Sequence, residues 1–329
     1  MQMLALLGAL AAVLTMALQG WVGLETIYAP EFEAKRQMFH EAILTNTPPE
    51  KGWAAVGAAA LNIRVTAVYM AEGLHQLVGV SVSRAYWLLD TVFLFAVLFG
   101  LPLYLRRWLP ATWCLLGMLY MAAMLPLTYL LHVYQPWDRM QLAAWLLLLA
   151  LVRDDRPWLI AAVLALSITV KFDTVLIALL YGLTHLRPND WRKKVAACGM
   201  LAVVGYATLA ALTLCYPAPT EPARFGLEVA ATQLRQNVQD LGALNVRHPT
   251  VLVMVLPAIL ALIGISRRPR FLVAGVIFGC VLTAVWAAFT VYVEVRAQMS
   301  LLLMLLPPAL LTLREWLEPA SSTTGRPSG

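Results

Sequence analysis

Residues 168–176 read ITVKFDTVL, and the two opposite charges in this stretch, Lys171 and Asp173, lie inside an otherwise apolar run from Trp158 to Leu186. As one long helix, the run would hold both charges near its middle, where each costs about 2.5 kcal/mol or more even on mild membrane scales. Such a helix would also move every later loop to the opposite side of the membrane. The basic loops RPNDWRKK (187–194) and SRRPR (266–270) would then face away from RRW (106–108) and RDDR (153–156). With two short helices joined at KFD, all four basic loops share one face, as the cytoplasmic excess of Lys and Arg requires. The stretch is therefore read as a turn at the outer face, with both termini in the cytoplasm.

Composition agrees with a membrane protein. Of 329 residues, 61% are hydrophobic and only 13% charged, against about 25% charged in ordinary soluble domains; the mean hydropathy is +0.74. Apolar stretches recur along the chain, at 3–24, 85–105, 109–131, 137–152, 158–170, 174–186, 195–215, 251–265, 271–291 and 297–313. The fold class expected is thus all-α, a polytopic integral-membrane bundle of about ten helices, with one domain over 1–314 and a small-residue, disordered cytoplasmic tail over 315–329. The first stretch is read as a retained span, because no basic residue precedes it and no small-x-small cleavage pattern ends it. Several spans hold only about 13–16 residues, roughly 20–24 Å, shorter than a bilayer core of about 30 Å. They belong where protein excludes lipid.

The net charge of +6 would suit nucleic acid in a soluble protein, but here the basic residues sit in short loops and set topology, so no nucleic-acid partner is expected. The four cysteines have no metal-ligand spacing, and no P-loop, GxGxxG, GxSxG or HExxH motif occurs. No internal repeat is found, which weighs against the inverted-repeat transporters.

On this topology thirteen of the eighteen carboxylates, counting Asp90 inside the second span, fall on the outer side. The first outer loop, 25–84, holds a helix over 30–44 with Phe32, Phe39 and Ile43 on one stripe. A second, interfacial segment over 54–77 puts Arg64, Val68, Glu72 and His75 on one face. The loop 216–250 holds a third amphipathic piece, 223–241, with Leu227, Leu234, Val238 and Leu241 on one side.

Candidate site residues come from the tips of these loops. Glu25, at the end of the first span, is a carboxylate beside a low-dielectric wall, which suits a general base; Glu31 and Glu33 in EFEAKR read more simply as a wet helix face. HVYQPWDR (132–139) supplies Tyr134 and Trp137, able to stack on a sugar or prenyl chain, with Asp138 and Arg139; Asp138 equally suits the first turn of the next helix. Lys171 and Asp173 could pair with each other, or Asp173 could cap the following helix. Glu294 and Arg296 in VEVR precede the last span, and a guanidinium there suits phosphate oxygens. Glu72-x-x-His75 has the spacing of di-iron carboxylate bundles but only one copy, and reads as interfacial.

Taken together, Glu25 after the first span, the long outer loop, YQPWDRMQ, the VKFD element and VYVEVRAQ resemble the GT-C superfamily of polytopic glycosyltransferases, whose bacterial members often show Y-P-W-D, N-K-E-T and E-x-R elements at corresponding places. The chain departs in having V-K-F-D for N-K-E-T, glutamate where aspartate is common after span one, and no soluble C-terminal domain. The resemblance implies a multi-pass protein of the inner (plasma) membrane that moves a sugar from a polyprenyl-phosphate donor to a glycan or lipid acceptor outside the cytoplasm. Glu25 would act as base, Lys171, Arg296 and Arg64 would neutralise the departing phosphate, and Asp138 and Asp173 would orient these cations or hold a divalent ion (Mg or Mn). Two other readings stay open: a transporter or flippase for a lipid-linked sugar, and a non-catalytic membrane subunit whose charged turns contact a partner in a complex.

Overall fold

The computed structural model of the chain describes residues 6–17, 30–47, 64–127, 137–216, 227–242, 251–289 and 299–318. Every regular element among them is helical. In chain order these are α1 (Leu6–Ala17), α2 (Pro30–Leu44), α3 (Val65–Val78), α4 (Val82–Leu105), α5 (Ala111–Leu127), α6 (Asp138–Arg153), α7 (Pro157–Ile168), α8 (Ile177–His185), α9 (Trp191–Cys215), α10 (Leu227–Gly242), α11 (Leu256–Leu262), α12 (Arg270–Phe289) and α13 (Met299–Leu317). Four helices, α4, α9, α12 and α13, are long and apolar enough to cross a membrane; α1, α5, α7, α8 with its preceding turn, and α11 are apolar but shorter. The chain is a helical membrane protein.

Local chemistry sets the boundaries. Gly79 ends α3 in the left-handed region (φ 72), donating its N–H to His75 O, the geometry glycine adopts without a Cβ penalty. Ser81 then opens α4 as an extended N-cap whose hydroxyl accepts the Arg84 N–H. Pro157 occupies the first position of α7, where its missing N–H costs nothing.

The helix pair in the opening stretch is broken where the sequence predicts. α7 stops at Ile168, inside the β-branched run Ile168-Thr169-Val170, residues that lose side-chain freedom in a helix. Thr169 Oγ1 donates to Leu166 O at 2.6 Å, and the Lys171 N–H bonds Ser167 O at 2.8 Å. Lys171 is extended (φ −164, ψ 131), and a 3-10 turn, Phe172–Leu176, leads into α8. The expected helix over 174–186 is thus 3-10 in its first turn. The Thr169 carbonyl accepts the backbone N–H of Thr66 at 3.2 Å, which pins the start of α3 to this turn.

The core runs around α6, which packs on α4, α7, α8 and α13. Trp145, Leu148, Leu149 and Val152 on α6 are fully buried, and Trp145 meets Phe278 of α12 with ring centroids 6.0 Å apart. Gly117 marks a close helix approach: a Cβ there would lie 2.6 Å from Leu105 Cδ1 and 2.9 Å from Leu310 Cδ1, the close packing small residues allow between membrane helices.

The basic loops meet at one end. Arg153 lies over the rings of Tyr104 and Trp108, and Trp108 stacks on Phe271 at 5.7 Å. Asp155 accepts the Tyr181 hydroxyl at 2.7 Å and the Lys194 ammonium, while Arg268 holds Glu315 and Thr312 and Arg270 binds the Leu183 and Leu186 carbonyls. Exposed Trp158, Trp191 and Trp316 flank this end, as interfacial tryptophans do.

Three amphipathic readings meet different fates. α2 spans 30–44 as expected and buries Phe39 and Ile43; the side chain of Phe32 lies outside the described residues. Of the segment expected over 54–77, the described part is α3, where Val68 is buried, Glu72 half-buried and His75 exposed. α10 turns its polar Asn237 inward, where Nδ2 donates to Ala287 O at 2.7 Å, and leaves Leu234 and Val238 exposed; the side chains of Leu227 and Leu241 lie outside the described residues. The span expected over 251–265 is helical over 251–262, a π turn at Val251–Val255 running directly into α11, and it ends before Gly264, which sits at φ 70. The first loop residues 48–63 and the tail residues 319–329 lie outside the described residues.

Candidate functional site

The KFD turn and the first two turns of α6 meet at the end of the bundle opposite the basic loops. One face of α6 carries Asp138, Gln141 and Trp145, spaced i, i+3 and i+7. Asp173 enters this face from the 3-10 turn. Its Oδ1 accepts the Gln141 amide N–H, and its Oδ2 accepts the Trp145 indole N–H at 3.4 Å. Gln141 Nε2 also reaches Lys171 O at 3.4 Å, so one amide ties both charged residues of the turn to α6. Below them, Ser167 Oγ donates to Thr174 Oγ1 at 2.8 Å.

Asp173 therefore does not cap α8. Its carboxylate is spent across the bundle on side chains some thirty residues earlier in the chain, and the position before the 3-10 turn is Lys171, which makes no side-chain cap. The Lys171 ammonium stands 4.0 Å from Asp138 Oδ1, a separation for screened attraction and not a closed hydrogen bond. The two side chains are 16% and 8% exposed, so the pair is reachable from solvent while its surroundings are dry. Lys171 and Arg64 both act electrostatically on Asp173.

A cavity of about 10 Å³, with room for about one water, is lined by Asp138, Gln141, Trp145, Lys171, Asp173 and Ser300. Gln141 is 3% exposed, and among the described residues its Oε1 has no hydrogen-bond partner. A buried amide oxygen left in this way costs about 1–3 kcal/mol unless something donates to it. The donor set does not fit a divalent cation. Both Asp173 oxygens already take N–H donors, an ammonium occupies the space beside Asp138, and no cluster of three His, Cys, Asp or Glu suited to a metal exists among the described residues.

The described parts of the first loop pack on Trp137, the residue before Asp138. The Arg64 guanidinium lies 4.7 Å from the centre of the Trp137 ring, and Phe39 of α2 packs on the same ring at 5.3 Å; such a cation–π contact is worth about 0.5–2 kcal/mol. Next to Phe39, His40 is buried and bridges Tyr86 Oη (2.8 Å) and Glu72 Oε2 (3.0 Å). The hydrogen bonds from His40 and then Gln76 hold the Glu72 carboxyl below its ordinary range.

Ten residues are candidates from sequence. Glu25, Tyr134, Glu294 and Arg296 lie outside the described residues. The other six all reach this one end, but only Asp138, Lys171 and Asp173 line the cavity. Arg64 and Trp137 do not line it; they meet each other, with Arg64 acting electrostatically on Asp173. Arg139 points elsewhere: it is 1% exposed and pairs with Asp90 of α4 at 2.9 Å. Asp138 lines the cavity and Arg139, about 100° further round the helix, does not. Gln141, Trp145 and Ser300 escape a reading that looks for charges; the i, i+3, i+7 stripe Asp138-Gln141-Trp145 is the signal that finds them. His40 and Tyr86 leave no such signal, being a lone histidine and a lone tyrosine in separate helices.

In comparisons with known proteins, no family model, no curated protein and no solved structure matches the chain.

Proposed function

We propose that the chain is a GT-C-like membrane glycosyltransferase of about ten spans, embedded in the inner (plasma) membrane with both termini cytoplasmic, which moves a sugar from a polyprenyl-phosphate donor to a hydroxyl of a glycan or lipid acceptor outside the cytoplasm. The observation that carries this reading is the meeting of Lys171, Asp138 and Asp173, from two separate chain segments, in one small polar cavity. An otherwise apolar bundle has no packing reason to gather such groups, because each charge held there is costly.

In the reaction the acceptor oxygen bonds to the anomeric carbon as the bond from that carbon to the donor phosphate breaks. The phosphate leaves on its polyprenyl chain, and Glu25 takes the acceptor proton. Lys171 sits where it can meet the charge that grows on the departing phosphate, the kind of fixed electrostatic help that often supplies the largest catalytic contribution. Asp138 keeps that ammonium near the cavity, and Gln141 and Trp145 hold Asp173 so that its charge is fixed while the phosphate departs. The cavity is lined from one end of the bundle, which supports transfer at one face over passage between two.

The test is transfer of radiolabelled sugar from a polyprenyl phosphate by the purified full chain. Activity that is lost in Glu25→Gln and in Lys171→Gln, with the elution and melting of the parent kept, supports the proposal. Undiminished transfer in both variants removes these residues from the mechanism, and sugar-lipid movement across vesicles without transfer assigns the site to a flippase.

A further inference from the structure

α6 has a second polar-to-apolar story on the face turned away from the cavity. Met140, Ala143, Leu147 and Ala150 lie along that face and, with α4 and α7, line an open groove of about 670 Å³. From Met140 to Arg153 the groove runs for roughly 20 Å at 1.5 Å per residue, the length of one extended acyl chain. The volume is that of an ordinary ligand pocket, within about 300–1,000 Å³. Small residues make it: at Gly100 of α4, a Cβ would come within 3.0 Å of Leu146 Cδ2, so no larger side chain narrows the groove from that helix without moving its neighbour.

The two ends differ. At the end near the candidate site the polar lining is Thr66 and Ser167, and both hydroxyls are already used, Thr66 with Thr169 and Ser167 with Leu164 O and Thr174. At the opposite end the lining closes on Arg153, the one charged residue in the groove. Two of the five guanidinium N–H donors go to Asp154, at 2.7 and 2.9 Å. Arg107 and Arg156 also act electrostatically on Asp154, so three cations act on the one carboxylate that Arg153 holds. The groove and the polar cavity share no lining residue.

We propose that this groove is a binding site for an anionic phospholipid of the leaflet on the basic side, its acyl chain along the α6 stripe and its phosphate on Arg153, Arg107 and Arg156. The charge complementarity decides the occupant. A neutral lipid would leave the excess cations unmatched, and at the candidate-site end the described groove lining offers no charged residue to a phosphate. The site is separate from the one proposed for sugar transfer and stands without it.

The full chain is reconstituted in an equimolar mixture of phosphatidylglycerol and phosphatidylcholine, extracted in mild detergent, and its retained lipid counted by native mass spectrometry. Phosphatidylglycerol is expected to be retained in preference to phosphatidylcholine. Arg153→Gln leaves Asp154 beside Arg107 and Arg156, and Leu147→Trp fills the groove from a half-exposed position; each variant is checked for the elution and helical circular dichroism of the parent. Removal of one basic residue at a membrane surface lowers anionic-lipid retention by about fivefold, and blocking the groove lowers it at least as far. Retention in the input proportions, or retention unchanged in both variants, overturns the proposal by showing annular lipid only. Displacement of the retained lipid by an added polyprenyl phosphate overturns it too, by giving the groove to that chain.

Discussion

The two ends of the bundle each hold an aspartate beside a lysine, and they differ in how completely the pair is closed. At the basic end Asp155 takes the Tyr181 hydroxyl at 2.7 Å and the Lys194 ammonium, with His185 4.0 Å away. At the other end Lys171 stands 4.0 Å from Asp138, a cavity lies between them and Asp173, and the Gln141 oxygen faces it without a partner among the described residues. The first arrangement is a latch, since both oxygens of Asp155 are already taken, one by Tyr181 and one by Lys194. The second keeps reach in reserve, which is what a site that must meet a ligand needs.

Exchanging the two lysines breaks this comparison most sharply. Lys171→Gln is expected to reduce sugar transfer about 100-fold or more while the melting temperature of the purified chain stays near that of the parent. Lys194→Gln should do the reverse, lowering the melting temperature and leaving transfer unchanged. Equal loss of transfer in both variants would mean that the end of the bundle makes no difference.

Much of this contrast was legible before any coordinates. The break at KFD follows from two charges that have no place at mid-membrane and from four basic loops that must share a side, and the contacts of Arg153, Lys194, Arg268 and Arg270 gather those loops at one end. The start of α6 and the whole of α2 follow from proline and apolar spacing. What could not be read is pairing over long separations. Arg139 reads as a site cation beside Asp138, yet its partner is Asp90, on a different helix far earlier in the chain. Asp173 reads as a helix cap because that is the commonest local use of an aspartate, and the amide that claims it lies on another helix. Local rules rank what a residue does alone, whereas a buried side chain answers to whatever the fold brings within 3 Å.

Gln141 and Tyr181 give a finer version of the same contrast, because each holds an aspartate at its own end. Gln141→Met removes the amide donor to Asp173 and the unpartnered oxygen together. It should lower transfer about tenfold, one charge-assisted hydrogen bond's worth, with little change in melting, since the lost bond is offset by removal of an unsatisfied atom. Tyr181→Phe removes only the hydroxyl bond to Asp155; it should cost about 1 kcal/mol of stability, read as a lower midpoint in thermal unfolding, and leave transfer unaltered.

The smallest effect concerns how α2 is fastened over the site. Glu72 accepts hydrogen bonds from His40 of α2 and from Gln76, which together hold its carboxyl below the ordinary value of 4.5. A carboxyl with a depressed value in the folded chain binds its proton later than in the unfolded chain as pH falls. Its stabilisation is therefore complete above the ordinary value and is lost as the pH drops through the lower, folded value. Thermal midpoints of the parent and of Glu72→Gln should differ modestly at neutral pH and converge as the pH falls through the lowered, folded value. The convergence isolates the carboxylate, because a packing role for the side chain would keep the two curves apart at every pH. Since His40 stands next to Phe39, which lies on Trp137, loosening this bond should raise protease access to α2 before the bundle itself melts, and cleavage that tracks only global unfolding would mean that α2 is held by its apolar contacts alone.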